Sequence, residues 1–453
     1  MAEFTTAVYQ NEFLPDGGTD VNAIVTITCK GAGTAGQAGS GDAGEIVIVD
    51  TSGSMGPATM AAAKDAAQAA LEEIVDGTWF AVIAGADRAM LAYPPVSSGP
   101  GMVRMDARTR QEGQAAIARF VGSGGTAMST WLDLAGQLFA SVPEVTQRHA
   151  LLLTDGENRE RPGRLDDAVN RATGYFQCDC RGAGTDWQVA EVRRIATALL
   201  GTVDIIPRPD VMREQFQEIM RTAMSRGVAD AKLRVWTPQG AQVLFVRQVA
   251  PTLEDLTDRR TVVNPLTGEY PTGAWADEAR DYHVAVRVPA KAIGQEQLAA
   301  RVQLALGSDV VTQGLVKATW SGNAELTTRI DQQVAHYTGQ AELAQMIQEG
   351  LAAKAAGDEA AATTKLGRAV QLAAETGNAE ATTKLRKVVE VENEADGTVR
   401  LKRAVDRADE MALDTASTKT TRIRKEQPAS QAPTAPPPTP ADATPPAPAG
   451  DSA

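Results

Sequence analysis

The sequence has few cysteine, histidine and aromatic residues, and these shortages exclude several kinds of protein. Among 453 residues there are three cysteines and three histidines, and only 4% of residues are aromatic. The cysteines cannot form a disulfide framework, which fits a reducing compartment. Cys178 and Cys180 alternate on a predicted strand, so we expect both in the core rather than in a zinc site. The histidines are far apart and have no metal-binding or triad spacing, so we expect them to be structural.

Long apolar runs and an excess of basic residues are also absent. No segment reaches the roughly 18–20 uninterrupted apolar residues that span a bilayer. Residues 1–18 show no basic region followed by an apolar core, so we expect no signal peptide, no membrane partner and a cytoplasmic location. The net charge of −13 argues against a nucleic-acid partner, because an acidic surface repels phosphates.

Residues 45–226 alternate short apolar segments with helical ones. The run at 45–50 (EIVIVD) is almost continuously apolar, which is typical of a strand buried on both faces of a parallel sheet. Five further strands are predicted at 79–85, 88–93, 148–156, 176–184 and 203–207. The pattern predicts an α/β domain that is doubly wound and Rossmann-like, with a mainly parallel six-strand sheet.

The segments on either side of this domain have a period of two. Residues 4–30 and 228–320 alternate apolar and polar positions, which predicts the strands of a β-sandwich. Two N-terminal strands cannot bury an apolar face by themselves. We therefore expect the strands of 1–44, which also contain a Gly-rich linker, to pair with those of 228–320. The α/β domain would then be inserted into the sandwich.

The C-terminal part predicts helices followed by disorder. Residues 323–412 are helical in pattern and contain a weak repeat, because 357–370 resembles 377–389, as in helical hairpins. Residues 413–453 are rich in Thr and then in Pro, and predict a disordered tail. The threonines at 415–421 suit phosphorylation by a Ser/Thr kinase and binding by a phosphothreonine-binding protein, and the alternative is a solvated linker.

Five oxygen-bearing side chains follow predicted strands or lie in a loop of the α/β domain. They are Asp50, Ser52 and Ser54 in the DTSGS sequence after the strand at 45–50, Thr126 in the GSGGT loop, and Asp155 in the TDG sequence. Open α/β sheets bind ligands at the carboxyl ends of their strands, so we expect these side chains to converge. A lone DTSGS often only caps a helix. The convergence of three separate motifs favours a metal site instead.

The chemistry of this set suits a hard divalent cation. Mg²⁺ prefers six oxygen ligands at about 2.0–2.1 Å. The hydroxyls of Ser52, Ser54 and Thr126 provide neutral oxygens, and the carboxylates of Asp50 and Asp155 provide charge, directly or through water. Few charged protein ligands leave the cation electrophilic, which favours an incoming acid.

The order of these motifs resembles that of von Willebrand factor A (vWA) domains with a metal-ion-dependent adhesion site, in the cytoplasmic type found in actinobacteria. The resemblance covers residues 45–226, hereafter the A domain. It implies that the five residues bind Mg²⁺ or Mn²⁺ and that the metal keeps an open position for a Glu or Asp carboxylate of a protein partner.

Three functions agree with such a site. The first is a metal-dependent protein–protein interaction module or scaffold, which is not an enzyme and which the resemblance links to Ser/Thr-kinase signalling. The second is a non-ATPase vWA subunit of a separate AAA-type ATPase, since the chain has no Walker A sequence. The third is a metal-assisted hydrolase, which we favour least because no general base or nucleophile accompanies the metal ligands in the sequence.

Overall fold

The chain begins a β-sandwich, forms the A domain, and then returns to the same sandwich before a mainly helical region. The computed structural model describes residues 2–36, 42–95 and 101–423. The middle of the predicted linker, 37–41, and most of the predicted tail, 424–453, lie outside the described residues. The N-terminal strands are β1 (Glu3–Gln10), β2 (Phe13–Leu14) and β3 (Asp20–Lys30).

The A domain is built on a seven-stranded sheet. Its strands are β4 (Asp42–Asp50), β5 (Trp79–Gly85), β6 (Met90–Tyr93), β7 (Val103–Arg104), β8 (Val145–Thr154), β9 (Gln177–Ala183) and β10 (Val203–Ile206). The order β10-β9-β8-β4-β5 is parallel throughout, and β6 and β7 both pair antiparallel with β5. The doubly wound α/β fold is confirmed. The predicted count of six strands misses β7, which is too short to show a period.

Helices cover both faces of this sheet. They are α1 (Pro57–Glu73), α2 (Ala107–Ala118), α3 (Met128–Ala140), α4 (Arg164–Ala172), α5 (Val189–Ala198) and α6 (Met212–Met224). The buried residues of α1, α2 and α6 form the core on one face, and those of α3, α4 and α5 form the core on the other. Cys178 and Cys180 lie in the second core with their sulfurs 3.8 Å apart, as the strand alternation predicts.

The β-sandwich contains both N-terminal and later strands, as the periodicity predicts. The later strands are β11 (Val228–Trp236), β12 (Gln242–Ala250), β13 (Glu254–Asp255), β14 (Thr261–Asn264), β15 (Thr267–Trp275), β16 (Ala279–Arg287), β17 (Glu296–Leu306) and β18 (Asp309–Trp320). One sheet has the order β1-β3-β16-β12-β13, and the other β14-β15-β11-β17-β18-β2. Because β3 pairs with β16 and β2 with β18, the A domain is inserted into the sandwich.

The region after the sandwich is helical but contains a hairpin. Its elements are α7 (Ala324–Thr327), α8 (Gln332–Ala355), α9 (Glu359–Glu375), α10 (Ala379–Val388), β19 (Val389–Asn393), β20 (Thr398–Leu401) and α11 (Arg407–Ala416). The prediction of helix throughout 323–412 is wrong at β19 and β20, where valines alternate with charged residues around an Asp-Gly turn. Among the described residues, no helix is both long and apolar enough to cross a membrane.

The predicted start of the disordered tail at 413 is also wrong. Helix α11 continues to Ala416, and Thr415 is only 1% exposed. Thr420 Oγ1 donates a hydrogen bond of 2.6 Å to the carbonyl of Val249 in the sandwich, and Gln340 donates to Thr421 Oγ1. Tertiary contacts therefore order a segment whose composition predicts disorder.

Candidate metal centre

The five predicted site residues meet at the carboxyl edge of the A-domain sheet. Asp50 ends β4, and Asp155 directly follows β8, its parallel neighbour. The loop after β4 carries Ser52 and Ser54 and leads into α1, where Pro57 occupies the first turn. Thr126 precedes α3 in a separate loop. The structure thus brings together residues that are up to 105 positions apart in the numbering.

Asp50 is fully buried and held by two short hydrogen bonds. Its Oδ1 accepts from the backbone N–H of Ser52 at 2.7 Å, and its Oδ2 accepts from the Thr154 hydroxyl at 2.7 Å. Burial raises the pKa of this carboxyl, and the hydrogen bonds from Ser52 and Thr154 oppose the increase. Asp50 is therefore a fixed acceptor at the base of the site, and Thr154, which the sequence reading missed, orients it.

The two serines and Asp155 form a continuous chain of oxygen atoms. Ser52 Oγ lies 2.7 Å from Ser54 Oγ, and Ser54 Oγ donates to Asp155 Oδ1 at 2.7 Å. Burial raises the pKa of Asp155 to about 6, the bond from Ser54 opposes this, and the charges of Asp50 and Asp186 add to it. The negative charges thus repel one another at a point where hydroxyl oxygens also converge.

Gly156 leaves the space between Ser54 and Thr126 open. A Cβ atom on Gly156 would lie 2.9 Å from Ser54 Oγ and 3.0 Å from Thr126 Oγ1. The two hydroxyls therefore flank a single position at Gly156, and any side chain there would contact both of them. The final glycine of the TDG sequence was the available signal for this role.

Backbone hydrogen bonds fix the loop of Thr126 against the loop of the serines. Gly53 N–H donates to the carbonyl of Gly124 at 2.9 Å, and Ser123 N–H donates to that of Thr51 at 2.8 Å. Gly124 has a φ of +78°, which favours glycine, and its approach to Asp87 leaves little room for a Cβ atom. The two loops are thus one unit, so Thr126 keeps its position relative to Ser52 and Ser54.

These residues suit a divalent cation that binds oxygen. Three hydroxyls and two carboxylates converge, and the mutual repulsion of the carboxylates is relieved by a positive charge between them. Within residues 2–36, 42–95 and 101–423, no group of three or more His, Cys, Asp or Glu side chains is arranged to hold a metal. A cation here would therefore depend on hydroxyls as well as on charge.

The oxygen cluster opens into a cleft of about 590 Å³. Besides the serines and Thr126, the cleft is lined by four charged residues that the sequence reading did not connect with the site. These are Glu157, Arg159, Asp186 and Arg407. Arg407 begins α11, and no local signal in the sequence could have placed it beside residues of the A domain.

Comparisons with known proteins agree with this architecture. The sequence model of the von Willebrand factor type A domain matches residues 46–157, and that of the von Willebrand factor type A C-terminal domain matches residues 371–417. A solved structure described as von Willebrand factor type A from Catenulispora acidiphila is 44% identical, covers 93% of this chain and 97% of its own, and superposes with a TM-score of 0.87. This chain belongs to the von Willebrand factor type A family.

Two further comparisons concern proteins that are less similar to this chain. The ArnB paralog VWA2 from Sulfolobus acidocaldarius is 14% identical, covers 92% of this chain and 98% of its own, and has a TM-score of 0.55, which shows a shared fold. An uncharacterized Synechocystis protein is 25% identical over 218 residues, which are 47% of this chain and 49% of that protein. This chain therefore spans about half the length of that curated relative.

Proposed function

We propose that this vWA protein is a metal-dependent protein-interaction module or scaffold rather than an enzyme. Asp50, Ser52, Ser54, Thr126 and Asp155 would hold one Mg²⁺ or Mn²⁺, which supplies a Lewis-acidic position for a Glu or Asp carboxylate of a protein partner. The observation that carries the proposal is the convergence of three hydroxyls and two carboxylates beside Gly156 in an open cleft.

Kinase signalling through threonines 415–421 would require this segment to leave its place. Thr415 is buried, its hydroxyl donates to Asp204, and Thr420 is bonded to the sandwich. A kinase needs an extended, accessible substrate, so the packed segment disfavours phosphorylation in this state. We therefore assign partner binding to the metal cleft.

Two substitutions test the metal site. Asp50→Ala removes a charge and the acceptor that fixes the Ser52 backbone, so we expect calorimetry with Mg²⁺ and Mn²⁺ to show no binding. Gly156→Ala places a methyl group against Ser54 and Thr126 and forces their hydroxyls away, so we expect metal affinity to fall by roughly 10-fold to 100-fold.

Gly125→Ala is the matched control, because it changes a glycine of the same cleft whose new Cβ atom would meet only Asp87 Cβ at 3.8 Å. Its metal affinity should equal that of the wild type. Circular dichroism and thermal unfolding establish that all variants are folded. Equal affinities for wild type and Asp50→Ala would rule out the proposed site.

A further inference from the structure

Two arginines from separate parts of the chain line the cleft beside Ser52, Ser54 and Thr126, the metal cleft. Arg159 follows β8 in the A domain, and its backbone N–H donates to the carbonyl of Thr126 at 2.8 Å. Arg407 is the first residue of α11. Within the part of the chain that the structure describes, neither side chain forms an ion pair or a hydrogen bond. The acids that line the same cleft, Glu157 and Asp186, do not neutralise them by direct pairing.

Helix α11 holds Arg407 in place from the A-domain side. Met411 is part of the core that covers α3, α4 and α5, and Ala408 packs against that core. Arg193 of α5 donates to Asp414 Oδ1 at 2.7 Å. The position of Arg407 beside the cleft is therefore fixed by packing and by an ion pair further along the same helix.

The acidic residues of α11 are also paired with the helical region. Lys387 donates to Asp409 at 2.7 Å, and Lys354 donates to Glu410. These pairs neutralise the negative charges of Asp409 and Glu410, whereas Arg407 has no ionic partner among the residues that the structure describes. Its charge is thus available to a ligand in the cleft.

We propose that Arg159 and Arg407 form a second anchor for the partner, so that the cleft recognises an acidic segment with at least two carboxylates. This inference rests on the proposed function, in which the first carboxylate binds the metal. The second would accept hydrogen bonds from a guanidinium fork, whose planar geometry matches a carboxylate. A cleft of about 590 Å³ is in the range that holds a small ligand and is larger than one carboxylate requires.

The C-terminal helix is consequently part of the binding surface, and an isolated A domain would lack half of the second anchor. With a net charge of −13, the protein as a whole repels polyanions, so non-specific attraction does not explain binding of an acidic ligand. Binding of an acidic polymer must therefore depend on a local positive site.

The test uses the full chain with immobilised poly-L-glutamate as the acidic probe and free acetate as the probe of a single carboxylate. With saturating Mg²⁺, we expect the wild type to bind poly-L-glutamate and EDTA to abolish the binding. Arg407→Gln should weaken poly-L-glutamate binding roughly fivefold. It should leave Mg²⁺ affinity and competition by acetate unchanged.

Arg403→Gln is the matched control, because Arg403 is exposed on the same segment and does not line the cleft. It should bind like the wild type, and Arg407→Lys should recover part of the affinity. If the wild type does not bind Mg²⁺, the proposed function itself is overturned. If Mg²⁺ binds but poly-L-glutamate does not, or if Arg407→Gln equals wild type or Arg403→Gln, the second anchor is overturned while the metal site stands.

Discussion

His149 lies between two carboxylates inside the A domain, near the middle of β8 and six positions before Asp155 of the candidate metal site. Its Nδ1 is 2.6 Å from Glu45 Oε2, its Nε2 is 2.9 Å from Asp179 Oδ2, and all three side chains are at most 4% exposed. Burial lowers the pKa of His149, but the charges of the carboxylates and their hydrogen bonds outweigh this and raise it to about 9. A protonated imidazole can donate to both neighbours at once, so the buried cluster favours the charged form.

This cluster predicts that stability depends on pH in a defined window. Because the folded-state pKa is raised from 6.5 to about 9, the stabilisation is fully present below pH 6.5 and is lost as pH rises through 9. The contribution is on the order of 3 kcal/mol. We expect the free energy of unfolding, measured in urea, to decrease between pH 6.5 and 9.5. NMR titration of His149 should give an apparent pKa near 9.

His283→Gln serves as the control, because burial and then Arg247 lower the pKa of His283 to about 4, outside this window. The variant should keep the slope between pH 6.5 and 9.5, whereas His149→Gln should lose that slope and be less stable at neutral pH, since Glu45 and Asp179 remain buried without the cation. A stability that is independent of pH in the wild type would contradict the assignment of charge to His149.

At the scale of residues, residue type and position predicted the convergence of the five candidate metal ligands but not the residues that surround them. Asp50 and Asp155 follow strands that pair in parallel, so the ends of both strands meet at one edge. His149 was expected to be structural, but the sequence around it does not indicate that Glu45 and Asp179 are its partners. The order of the strands in the sheet determines those contacts. The position of Arg407 beside the cleft depends on packing between α11 and parts of the A domain that are more than 200 positions away in the sequence.

At the scale of elements, the weak repeat corresponds to two helix N-termini with the same local structure, in which a glycine is followed by an Asp or Asn N-cap. Gly357 and Gly377 have φ values of +80° and +66°, which end the preceding helices in the left-handed region. Asp358 caps α9 by accepting from the N–H of Ala361, and Asn378 caps α10 in the same way. The Gly-Asx sequence that begins each copy of the repeat therefore lies at a boundary between two helices in both places.

The two caps differ in burial, which predicts different costs of removal. Asp358 is exposed, so Asp358→Ala should cost about 1 kcal/mol, as for an ordinary N-cap. Asn378 is 4% exposed, and its amide also donates to Gln340 at 3.2 Å. Asn378→Ala leaves that buried acceptor without its donor, so we expect a loss of about 2–3 kcal/mol. Urea unfolding followed by circular dichroism measures both.

Asn378→Ser separates the two contributions at this position. The serine keeps an oxygen that can cap α10, carries no charge and is too short to donate to Gln340, so its stability should fall between those of the wild type and Asn378→Ala. Equal losses for Asp358→Ala and Asn378→Ala would mean that the buried amide contact adds nothing.

Elements were predictable where their period extends over several turns or residues. The strands of the A domain and of the sandwich were found because their apolar patterns are long and unambiguous. Strand β7 has two residues and β19–β20 interrupts a helical composition, so neither has a pattern that outweighs its surroundings. The segment at 413–421 was assigned to a tail because its composition is polar on average. Composition does not indicate specific tertiary contacts, such as the packing of Met411 in a core of the A domain.

At the scale of the whole molecule, the chain crosses between the sandwich and the A domain twice, and the two crossings lie side by side. A Cβ atom on Gly227 would be 2.0 Å from the carbonyl oxygen of Ala32, so only glycine allows this approach. The N–H of Ala35 donates to the carbonyl of Met224 at 2.9 Å, at the end of α6. The A domain thus begins and ends at one place, as the predicted insertion requires.

This geometry predicts that the A domain can be excised and the sandwich closed. Gly33 lies against Gly227, so residues 2–33 joined directly to 227–320 should fold into the sandwich with little change of backbone. Residues 227–320 alone should not fold, because β3 is a central strand whose inward side chains belong to the sandwich core. Three of these, Val21, Val25 and Ile27, are at most 1% exposed.

The energetic argument follows from what β3 buries. Each large aliphatic side chain contributes about 1.5–3 kcal/mol on burial, so three of them account for much of the roughly 5–15 kcal/mol that stabilises a typical domain. Without β3, the edge of β16 is also unpaired and its core side chains face solvent. Thermal unfolding by circular dichroism should therefore give a cooperative transition for the joined fragment and none for 227–320. A cooperative transition at the same temperature in both fragments would show that the sandwich folds without the N-terminal strands.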